Sequence, residues 1–516
     1  MSGPRVPGAP RDSVPWPLGL ECLGAAGLGA AHSLPFVHTA AWPLQLLCVA
    51  LLASRLANAT PTRAALLGWA FGTAWLTSGI WWLFVSMHFY GGLPVWMAAL
   101  AVLLLCAFMA LFLAVAAAMF ARYRRGGVAG DTLLFAAVWV LAELTRGLLF
   151  TGLPWVASGY AHVDSPLAAL APWLGVYGVG GVAAALAAAP AVGGGTLAWR
   201  ARPLLGGAFV LAALALAPLP QFTQATGTIS VALLQGNVPQ NEKFSLEHLP
   251  AALAWTRAQL LEARADLVVG AETVIPLLPH QLDPLWWQPL LEHFREPGRA
   301  ALVGLPLGDE ARGYTNSAAG IAAHTAALPD GFYRYDKHHL VPFGEVIPPL
   351  FKWFVRLMDI PLGDFKRGEL AAPSFVVKGE RIAPNICYED LFGEELAARF
   401  NDPANAPTIF ANLSNIGWFG QTIAVAQHLN ISRMRTLELQ RPMLRATNTG
   451  ATVVIDHRSQ VTHGLAPHTQ GVLQGEVQGR SGVTPFARWA GVAGQWPLVA
   501  LALLLCLTLA RQRKPA

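Results

Sequence analysis

The chain has 516 residues, of which 54% are hydrophobic and only 13% are charged. Average soluble domains carry about 25% charged residues, so this composition excludes a wholly soluble protein and indicates a membrane protein. The formal net charge of +5 at pH 7 does not point to nucleic acid, because the arginines cluster near the ends of apolar runs. The five cysteines form neither a disulfide framework nor a zinc-binding spacing. We therefore expect no metal and no cofactor.

Charge is distributed unevenly along the chain. Residues 1–16 are rich in Pro and Gly and predict a short cytoplasmic lead, after which long apolar runs fill residues 17–220. Polar and charged residues concentrate in 221–488. One more apolar run at 489–511 predicts a C-terminal transmembrane helix, followed by a short cytoplasmic tail at 512–516. The sequence thus predicts a membrane bundle, one large soluble domain and a closing anchor.

Transmembrane helices need ~20 apolar residues each. On this criterion the sequence predicts eight spans, seven before the soluble domain and one after it. The first has the length of a signal peptide, but further apolar runs follow it directly, which favours a retained anchor. The predicted spans are 18–37, 41–58, 64–88, 94–120, 132–150, 173–198, 203–220 and 489–510.

The orientation of these spans follows from the positions of Lys and Arg, which favour the cytoplasmic side. The loops at 38–41, 88–94 and 151–172 contain neither residue. Positive charges instead follow the fourth and eighth spans, at Arg122, Arg124, Arg125, Arg511, Arg513 and Lys514. Both termini are therefore predicted to be cytoplasmic. The soluble domain then lies on the outer face of the membrane, which in a bacterium is the periplasmic face of the inner membrane.

Two charged residues, Glu143 and Arg146, lie inside the fifth predicted span. Their spacing of three places them on one helix face, where they can pair. Charged residues within a membrane are costly and are candidates for function, so we consider both as substrate contacts. The alternative is a structural pair that locks two helices. The loop that follows, 151–160, has the aromatic and Gly content of an interfacial segment that lines a lipid path.

Strand-like and helix-like segments alternate in the soluble region, which predicts a layered α/β domain. Helical spacing predicts helices at 248–264 and 424–439. Short apolar or β-branched runs predict strands at 229–235, 266–270, 300–305, 317–323, 331–335, 374–377, 381–386, 408–413 and 452–456.

Three residues of different chemistry, Glu272, Lys337 and Cys387, each follow a predicted strand. A glutamate can accept a thiol proton as general base. A lysine can lower the pKa of a thiol and stabilise an oxyanion. A cysteine can then attack and carry an acyl group. Taken singly, each residue also fits a structural or solvated role, so their meeting in space is the prediction to test.

The order Glu272, Lys337, Cys387 in such a domain resembles the nitrilase (carbon–nitrogen hydrolase) superfamily. Local stretches and the bundle–domain–anchor layout resemble, more specifically, the bacterial apolipoprotein N-acyltransferase family. The stretches that carry this likeness are 143–147, 152–155, 335–345, 387–389 and 441–450.

The resemblance implies a polytopic α-helical membrane bundle joined to a nitrilase-like αββα sandwich. It implies an acyltransferase that takes an acyl chain from a phospholipid onto Cys387 as a thioester. The chain then passes to the α-amine of the N-terminal diacylglyceryl-cysteine of a lipoprotein. Such a reaction predicts ping-pong kinetics, with a phospholipid, a lipoprotein and the bilayer as partners.

Further site residues come with the resemblance. Glu345 is expected to orient Lys337 or Glu272, and Tyr388 and Glu389 to shape the pocket around the thiol. Candidate substrate contacts are Phe244, Trp418, Glu143 and Arg146, although a tryptophan such as Trp418 is also typical of core or membrane-belt positions.

The sequence also departs from the family pattern at three places. Gly270-Ala271 precede Glu272, where family members commonly have Trp-Pro. Ile416 stands where the family pattern has an acidic residue, and Phe244 stands where it often has a Trp. Residues 348–368 mix aromatics with Lys and Arg and predict an arm that dips into the lipid interface and gates the pocket. The alternative for that segment is a buried helix.

Two other functions stay open on the sequence alone. A membrane-tethered amidase would give the acyl group to water and release free fatty acid. A lipid transporter or scaffold with an inactive domain is the third possibility. The few ionisable residues inside the predicted spans, mainly Glu21, Glu143 and Arg146, argue against a transporter.

Overall fold

The computed structural model describes residues 17–192, 197–342, 344–346 and 365–511. The expected lead at 1–16, the tail at 512–516 and most of the expected arm at 348–368 lie outside the described residues. The first part of the chain forms a helical bundle. Its helices are α1 (Leu18–His32), α2 (Trp42–Leu56), α3 (Pro61–Ile80), α4 (Leu83–Val85), α5 (Val95–Tyr123), α6 (Val128–Leu148), α7 (Ala171–Val192) and α8 (Leu197–Leu216).

Four helical segments are long and apolar enough to cross a membrane: Thr39–Leu56, Val95–Tyr123, Val128–Thr151 and Pro166–Val192. A fifth is added if the bent pair Pro485–Ala493 and Trp496–Arg511 counts as one span. The described residues therefore support a membrane bundle with four or five candidate spans. The count of eight stays a prediction.

The closing anchor differs from the continuous span expected at 489–510. Pro485–Ala493 (α13) and Trp496–Arg511 (α14) meet at an angle of 89°. Gly494 lies between them with φ of 55°, a conformation that glycine adopts without steric cost. Helix α13 packs on the soluble domain through Phe486 and Ala487, and the start of the anchor at residue 489 stays a prediction.

Small residues allow the bundle helices to approach closely. A methyl group added at Gly68 of α3 would come within 2.7 Å of the Cβ of Ala117 on α5. Such contacts between small residues are typical of helix packing in membranes. An aromatic cluster fills the space between α1, α3 and α6, where the His32 and Trp75 rings lie 4.5 Å apart and the Trp75 and Trp139 rings 5.8 Å apart.

The soluble domain contains two six-stranded sheets. The strand order is β12-β1-β2-β3-β4-β5 in the first sheet and β11-β10-β9-β8-β7-β6 in the second. Pairs β1–β2, β2–β3, β7–β8 and β8–β9 are parallel, and the remaining pairs are antiparallel. The strands are β1 (Thr223–Gln235), β2 (Leu267–Val269), β3 (Ala300–Asp309), β4 (Gly313–Ala322), β5 (Tyr333–Asp336), β6 (Phe375–Val377), β7 (Glu380–Ile386), β8 (Ile409–Ser414), β9 (Met443–Thr447), β10 (Val453–Ile455), β11 (Val461–Gly464) and β12 (Gly471–Gly482).

The two sheets pack face to face. One apolar core joins Val231 and Leu302 of the first sheet to Ile386 and Leu413 of the second. Helices α9 (Leu249–Glu262) and α10 (Pro284–Arg295) cover the outer face of the first sheet. Helices α11 (Gly393–Ala398), α12 (Ala424–Leu439) and α13 cover the second. The domain is therefore an αββα sandwich.

Helix α12 also joins the sandwich to the membrane bundle. Its fully buried Gln427 accepts hydrogen bonds from the indole N–H groups of Trp82 (3.0 Å) and Trp155 (2.9 Å). The same side chain donates to the carbonyl of Gly79 at the end of α3 (2.9 Å). Because buried polar groups are costly to leave unpaired, this set of bonds holds α12 at a defined position on the bundle.

Candidate active site

Cys387 is the first residue after β7, and its backbone is strained. Its φ is 53°, in the left-handed region that non-glycine residues rarely adopt. Such a residue costs on the order of 1–3 kcal/mol and persists only where its surroundings enforce it. The amide of Asn412 on β8 donates to the Cys387 carbonyl at 3.2 Å.

The buried carboxylate of Glu389 fixes this turn against the segment after β5. It accepts a hydrogen bond from the backbone N–H of Ile386 (2.6 Å) and from the hydroxyl of Tyr335 (2.7 Å). It also accepts from the backbone N–H groups of His338 (2.7 Å) and His339 (3.1 Å). Glu389 thus ties the residue before Cys387 to the residues that follow Lys337.

Glu272 and Lys337 meet in the interior of the domain. The Lys337 ammonium lies 3.3 Å from Oε1 of Glu272 and 2.9 Å from Oε1 of Glu345. Lys337 is only 1% exposed. Buried charges are stable only when paired and hydrogen-bonded, so the two carboxylates and the ammonium form one unit.

Asn316 of β4 bridges the two carboxylates of this unit. Its amide nitrogen donates to Oε1 of Glu272 (2.8 Å) and to Oε1 of Glu345 (2.6 Å). The backbone N–H of Asn415, just after β8, donates to the other oxygen of Glu272 (2.8 Å). Asn316 therefore fixes both carboxylates, and Asn415 adds a second contact to Glu272.

The electrostatic surroundings of Glu272, Lys337 and Cys387 determine which of these three groups is charged at neutral pH. Burial alone would raise the pKa of Glu272, but the charges of Lys337 and Lys243 and the hydrogen bonds from Asn316 and Asn415 hold it below its ordinary value. Burial likewise opposes the charge on Lys337, but Glu345 and Glu272 raise its pKa above the ordinary value. At neutral pH Glu272 is therefore an ionised carboxylate beside a charged ammonium.

The thiol of Cys387 behaves differently. Burial, followed by the charge of Glu272, raises its pKa to about 12, and Lys337 opposes this only in part. The resting thiol is therefore protonated at neutral pH. An ionised carboxylate that acts electrostatically on the same thiol can accept its proton when a substrate arrives.

Family models match both parts of the chain. Residues 28–189 match the apolipoprotein N-acyltransferase N-terminal domain, and residues 230–486 match carbon-nitrogen hydrolase. The chain is 52% identical over 508 residues to the apolipoprotein N-acyltransferase of Verminephrobacter eiseniae, with 92% of each chain covered. The chain belongs to the apolipoprotein N-acyltransferase family. The resemblance noted in the sequence is thereby confirmed.

Other family members are also similar over nearly their full length. Apolipoprotein N-acyltransferase from Ralstonia nicotianae is 46% identical, with 95% of this chain and 93% of the relative covered. The corresponding protein of Bordetella bronchiseptica is 43% identical, with 95% and 96% covered. The two-part layout of this acyltransferase, a helical bundle followed by a nitrilase-like domain, is therefore shared with the family.

Sequence reasoning missed three polar residues around Glu272: Lys243, Asn316 and Asn415. Lys243 is 6% exposed, and its ammonium donates to the backbone carbonyl of Glu272 at 2.9 Å. In the sequence it stands between Glu242 and Phe244 in a polar loop, where a lysine is normally solvated. Only its neighbours in space distinguish it.

A second buried charge network lies behind the Cys387 turn of this family member. Asp390 accepts hydrogen bonds from His428 (2.9 Å), Arg445 (3.2 Å) and Ser432. Arg445 also donates to Asn412 (3.3 Å), the residue that contacts the Cys387 carbonyl. The stretch 441–450, which carries part of the resemblance to the family, is therefore connected to Cys387 by hydrogen bonds through Asn412.

The candidate substrate contacts lie in different places. Phe244 follows Lys243 and is 49% exposed. Trp418 lies at the bundle interface, where its carbonyl accepts from the Ser86 hydroxyl (2.7 Å) and its ring meets Tyr90 edge-on. Glu143 and Arg146 are buried in α6 and are paired at 3.9 Å.

Tyr388 reaches from the catalytic turn to the membrane bundle. Its ring is buried, and its hydroxyl donates to the carbonyl of Gly152 at 2.8 Å. Gly152 belongs to the loop that follows α6. The residue next to the nucleophile is thus fixed by a bundle loop.

Proposed function

We propose that this acyltransferase moves an acyl chain from a phospholipid to the α-amine of the N-terminal diacylglyceryl-cysteine of a lipoprotein, through a thioester on Cys387. The observation that carries the proposal is the buried Glu272–Lys337 pair, whose charges act on the Cys387 thiol. Family membership supports the substrate classes. The substrates are bilayer lipids, which suits a catalytic domain seated on a membrane bundle.

In the first step, Glu272 takes the proton of the Cys387 thiol while the sulfur attacks the ester carbonyl of the phospholipid. Lys337 stabilises the negative charge that develops on the carbonyl oxygen. The ester C–O bond then breaks, and Glu272 returns the proton to the departing lysophospholipid alcohol. The product is a thioester on Cys387.

In the second step, the acceptor amine attacks the thioester carbon and Glu272 takes a proton from the amine nitrogen. The C–S bond breaks, an amide forms, and the proton returns to the Cys387 sulfur. One carboxylate serves both steps because each step needs a proton moved from a nucleophile to a leaving group.

The remaining predicted residues support this chemistry. Glu345, hydrogen-bonded to Lys337, holds the ammonium in place. Tyr388 and Glu389 shape the turn that carries the thiol, and Phe244 and Trp418 contact substrate.

We further propose the topology of the protein. It is a multi-pass protein of the bacterial inner membrane with eight spans, cytoplasmic termini and a periplasmic catalytic domain. The absence of Lys and Arg from the loop at 151–172 supports this orientation. That loop follows α6 and contacts the catalytic domain through Tyr388.

The decisive experiment is mass spectrometry of Cys387 after the purified enzyme is incubated with phospholipid. We expect a mass increase equal to one acyl group on the Cys387 peptide, and none in Cys387→Ala. Adding a diacylglyceryl-cysteine peptide should then discharge the thioester with formation of the N-acylated peptide.

The alternative functions give different outcomes in the same experiment. A membrane-tethered amidase would form the thioester but release free fatty acid while the peptide remained unmodified. A transporter or scaffold would form no thioester. Cys387→Ser forming an acyl-enzyme at the wild-type rate would also overturn the proposed mechanism.

A further inference from the structure

The ion pair inside α6 binds the loop that follows it. One terminal nitrogen of Arg146 donates to the carbonyls of Leu153 and Trp155, both at 2.7 Å. Oε1 of Glu143 accepts from the backbone N–H (2.7 Å) and the hydroxyl (2.9 Å) of Ser158. Residues 155–158 are at most 2% exposed, and buried backbone groups need such internal partners.

This loop, residues 149–158, has an unusual backbone. Phe150, Thr151 and Val156 have φ values of 56°, 71° and 53°. Each such conformation in a non-glycine residue costs on the order of 1–3 kcal/mol unless the surroundings enforce it. The hydrogen bonds that Arg146 donates and Glu143 accepts lie within this loop and hold it in shape.

The same loop contacts one residue next to Cys387 and another residue close to Lys337. The Gly152 carbonyl accepts the hydroxyl hydrogen of Tyr388 (2.8 Å), the residue after the nucleophile. The Thr151 carbonyl lies 3.0 Å from Nε2 of His339, two residues after Lys337. Through these two contacts the loop fixes the turn that carries Cys387 relative to the segment that follows Lys337.

We propose that Glu143 and Arg146 are positioning residues for the acyl transfer. They hold the loop at 149–158, and the loop places Cys387 relative to Lys337 through Tyr388 and His339. The reaction they would support is that of the proposed function, on which this inference rests. Their role is distinct from contact with a lipid substrate, because both side chains are buried and it is Nη1 of Arg146 and Oε1 of Glu143 that bind the loop.

The test compares Arg146→Gln and Glu143→Gln with a variant of a second, less buried ion pair elsewhere in the bundle. Arg63 and Glu21 form another ion pair, at 2.7 Å, near the opposite end of α3 from Gly79. At ~1.5 Å per residue that end lies ~24 Å from Gly79. Arg63→Gln therefore breaks a bundle ion pair without touching the loop, and it controls for general loss of stability.

Two rates are measured at the Cys387 peptide by mass spectrometry: alkylation by iodoacetamide and thioester formation from phospholipid. We expect Arg146→Gln to lower both at least about tenfold, since small misplacements of catalytic groups cost up to about a hundredfold. Arg63→Gln should leave both near the wild-type value. A substrate-contact role would instead raise the KM for phospholipid and leave the alkylation rate unchanged, which would overturn the proposal.

A double-mutant cycle tests the route through Tyr388. If Arg146 acts through the Gly152–Tyr388 hydrogen bond, Tyr388→Phe should add little to the effect of Arg146→Gln. Fully additive effects would overturn that route. Arg146→Lys, which retains a charge, serves where Arg146→Gln fails to fold, and its melting temperature is recorded with its alkylation rate.

Failure of the proposed function gives a separate result. A wild-type enzyme that formed no thioester with phospholipid would refute the acyl transfer. The alkylation comparison would still report whether Arg146 positions Cys387, because iodoacetamide needs no lipid site.

Discussion

The ammonium group of Lys243 donates a hydrogen bond of 2.9 Å to the backbone carbonyl of Glu272. The lysine is buried, and burial lowers its pKa to about 8 despite the nearby charge of Glu272. Below that pH Lys243 carries a positive charge that helps to keep the Glu272 carboxylate ionised. This relationship gives the first prediction.

Replacing Lys243 with methionine removes that charge and should raise the pKa of Glu272. The acid limb of thioester formation should then move to higher pH, because Glu272 becomes protonated earlier as pH falls. The measurement is a pH profile of the first half-reaction, followed at the Cys387 peptide. Lys378→Met, which breaks a half-exposed ion pair with Asp266, is the control. An unchanged acid limb in Lys243→Met would contradict the role of Lys243.

Glu272→Gln should slow thioester formation by about a hundredfold to ten-thousandfold, the usual contribution of a general base. Glutamine keeps the shape of the side chain and can still lie beside Lys337, but it cannot accept the thiol proton. Rapid-quench sampling of the acylated peptide measures the effect. A variant that acylates at a rate within a factor of two of wild type would remove Glu272 from the mechanism.

The two half-reactions should depend differently on pH. The folded pKa of Glu272 is lowered, so thioester formation should persist through neutral pH and fall only below the ordinary carboxylate value of about 4.3. Transfer to the lipoprotein also needs a neutral acceptor amine, whose ordinary pKa is about 7.7–8.0. The discharge rate should therefore keep rising to about pH 8. Identical profiles for both steps would argue against this assignment.

Breaking the buried network behind the nucleophile should destabilise the domain. Arg445→Met leaves the charge of Asp390 without one of its partners, and losing one member of a buried pair typically costs about 3–5 kcal/mol. Arg312→Met breaks an exposed pair with Asp309 and should change stability by less than about 0.5 kcal/mol. Thermal unfolding in the same detergent compares the two. Equal melting temperatures would show that the network does not contribute to stability.

A reporter that is active only outside the cytoplasm tests the topology. Fused after Gln221, where the soluble domain begins, it should be active. A cytoplasmic reporter at the same position should be inactive. The opposite pattern would place the catalytic domain on the cytoplasmic side and overturn the proposed orientation.

Local patterns in the sequence predicted much of the sandwich. The helix expected at 424–439 coincides with α12 (Ala424–Leu439), and the pair of strands expected at 317–323 and 331–335 is the antiparallel pair β4–β5. Buried strands such as β2 and β8 were recognised because they are short apolar runs.

Strands without such a pattern were missed. β12 (Gly471–Gly482) is rich in glycine and polar residues, yet it pairs with β1 along most of its length. The sequence also predicted one C-terminal transmembrane helix at 489–511, whereas α13 and α14 meet at a sharp bend there. In both cases the missing information was the partner element, which lies far away in the chain.

The sequence by itself determined the family, the strand ends that carry Glu272, Lys337 and Cys387, and the presence of a membrane bundle. These follow from composition, short-range periodicity and motifs, which are local properties. Only the tertiary structure decided that Lys243 and Asn316 surround Glu272, and that the Glu143–Arg146 pair holds a loop against Tyr388. The contacts of Glu272 with Lys243 and Asn316 and of Tyr388 with Gly152 join residues that are distant in sequence. Burial gives such contacts their strength, so they exist only once the chain has folded.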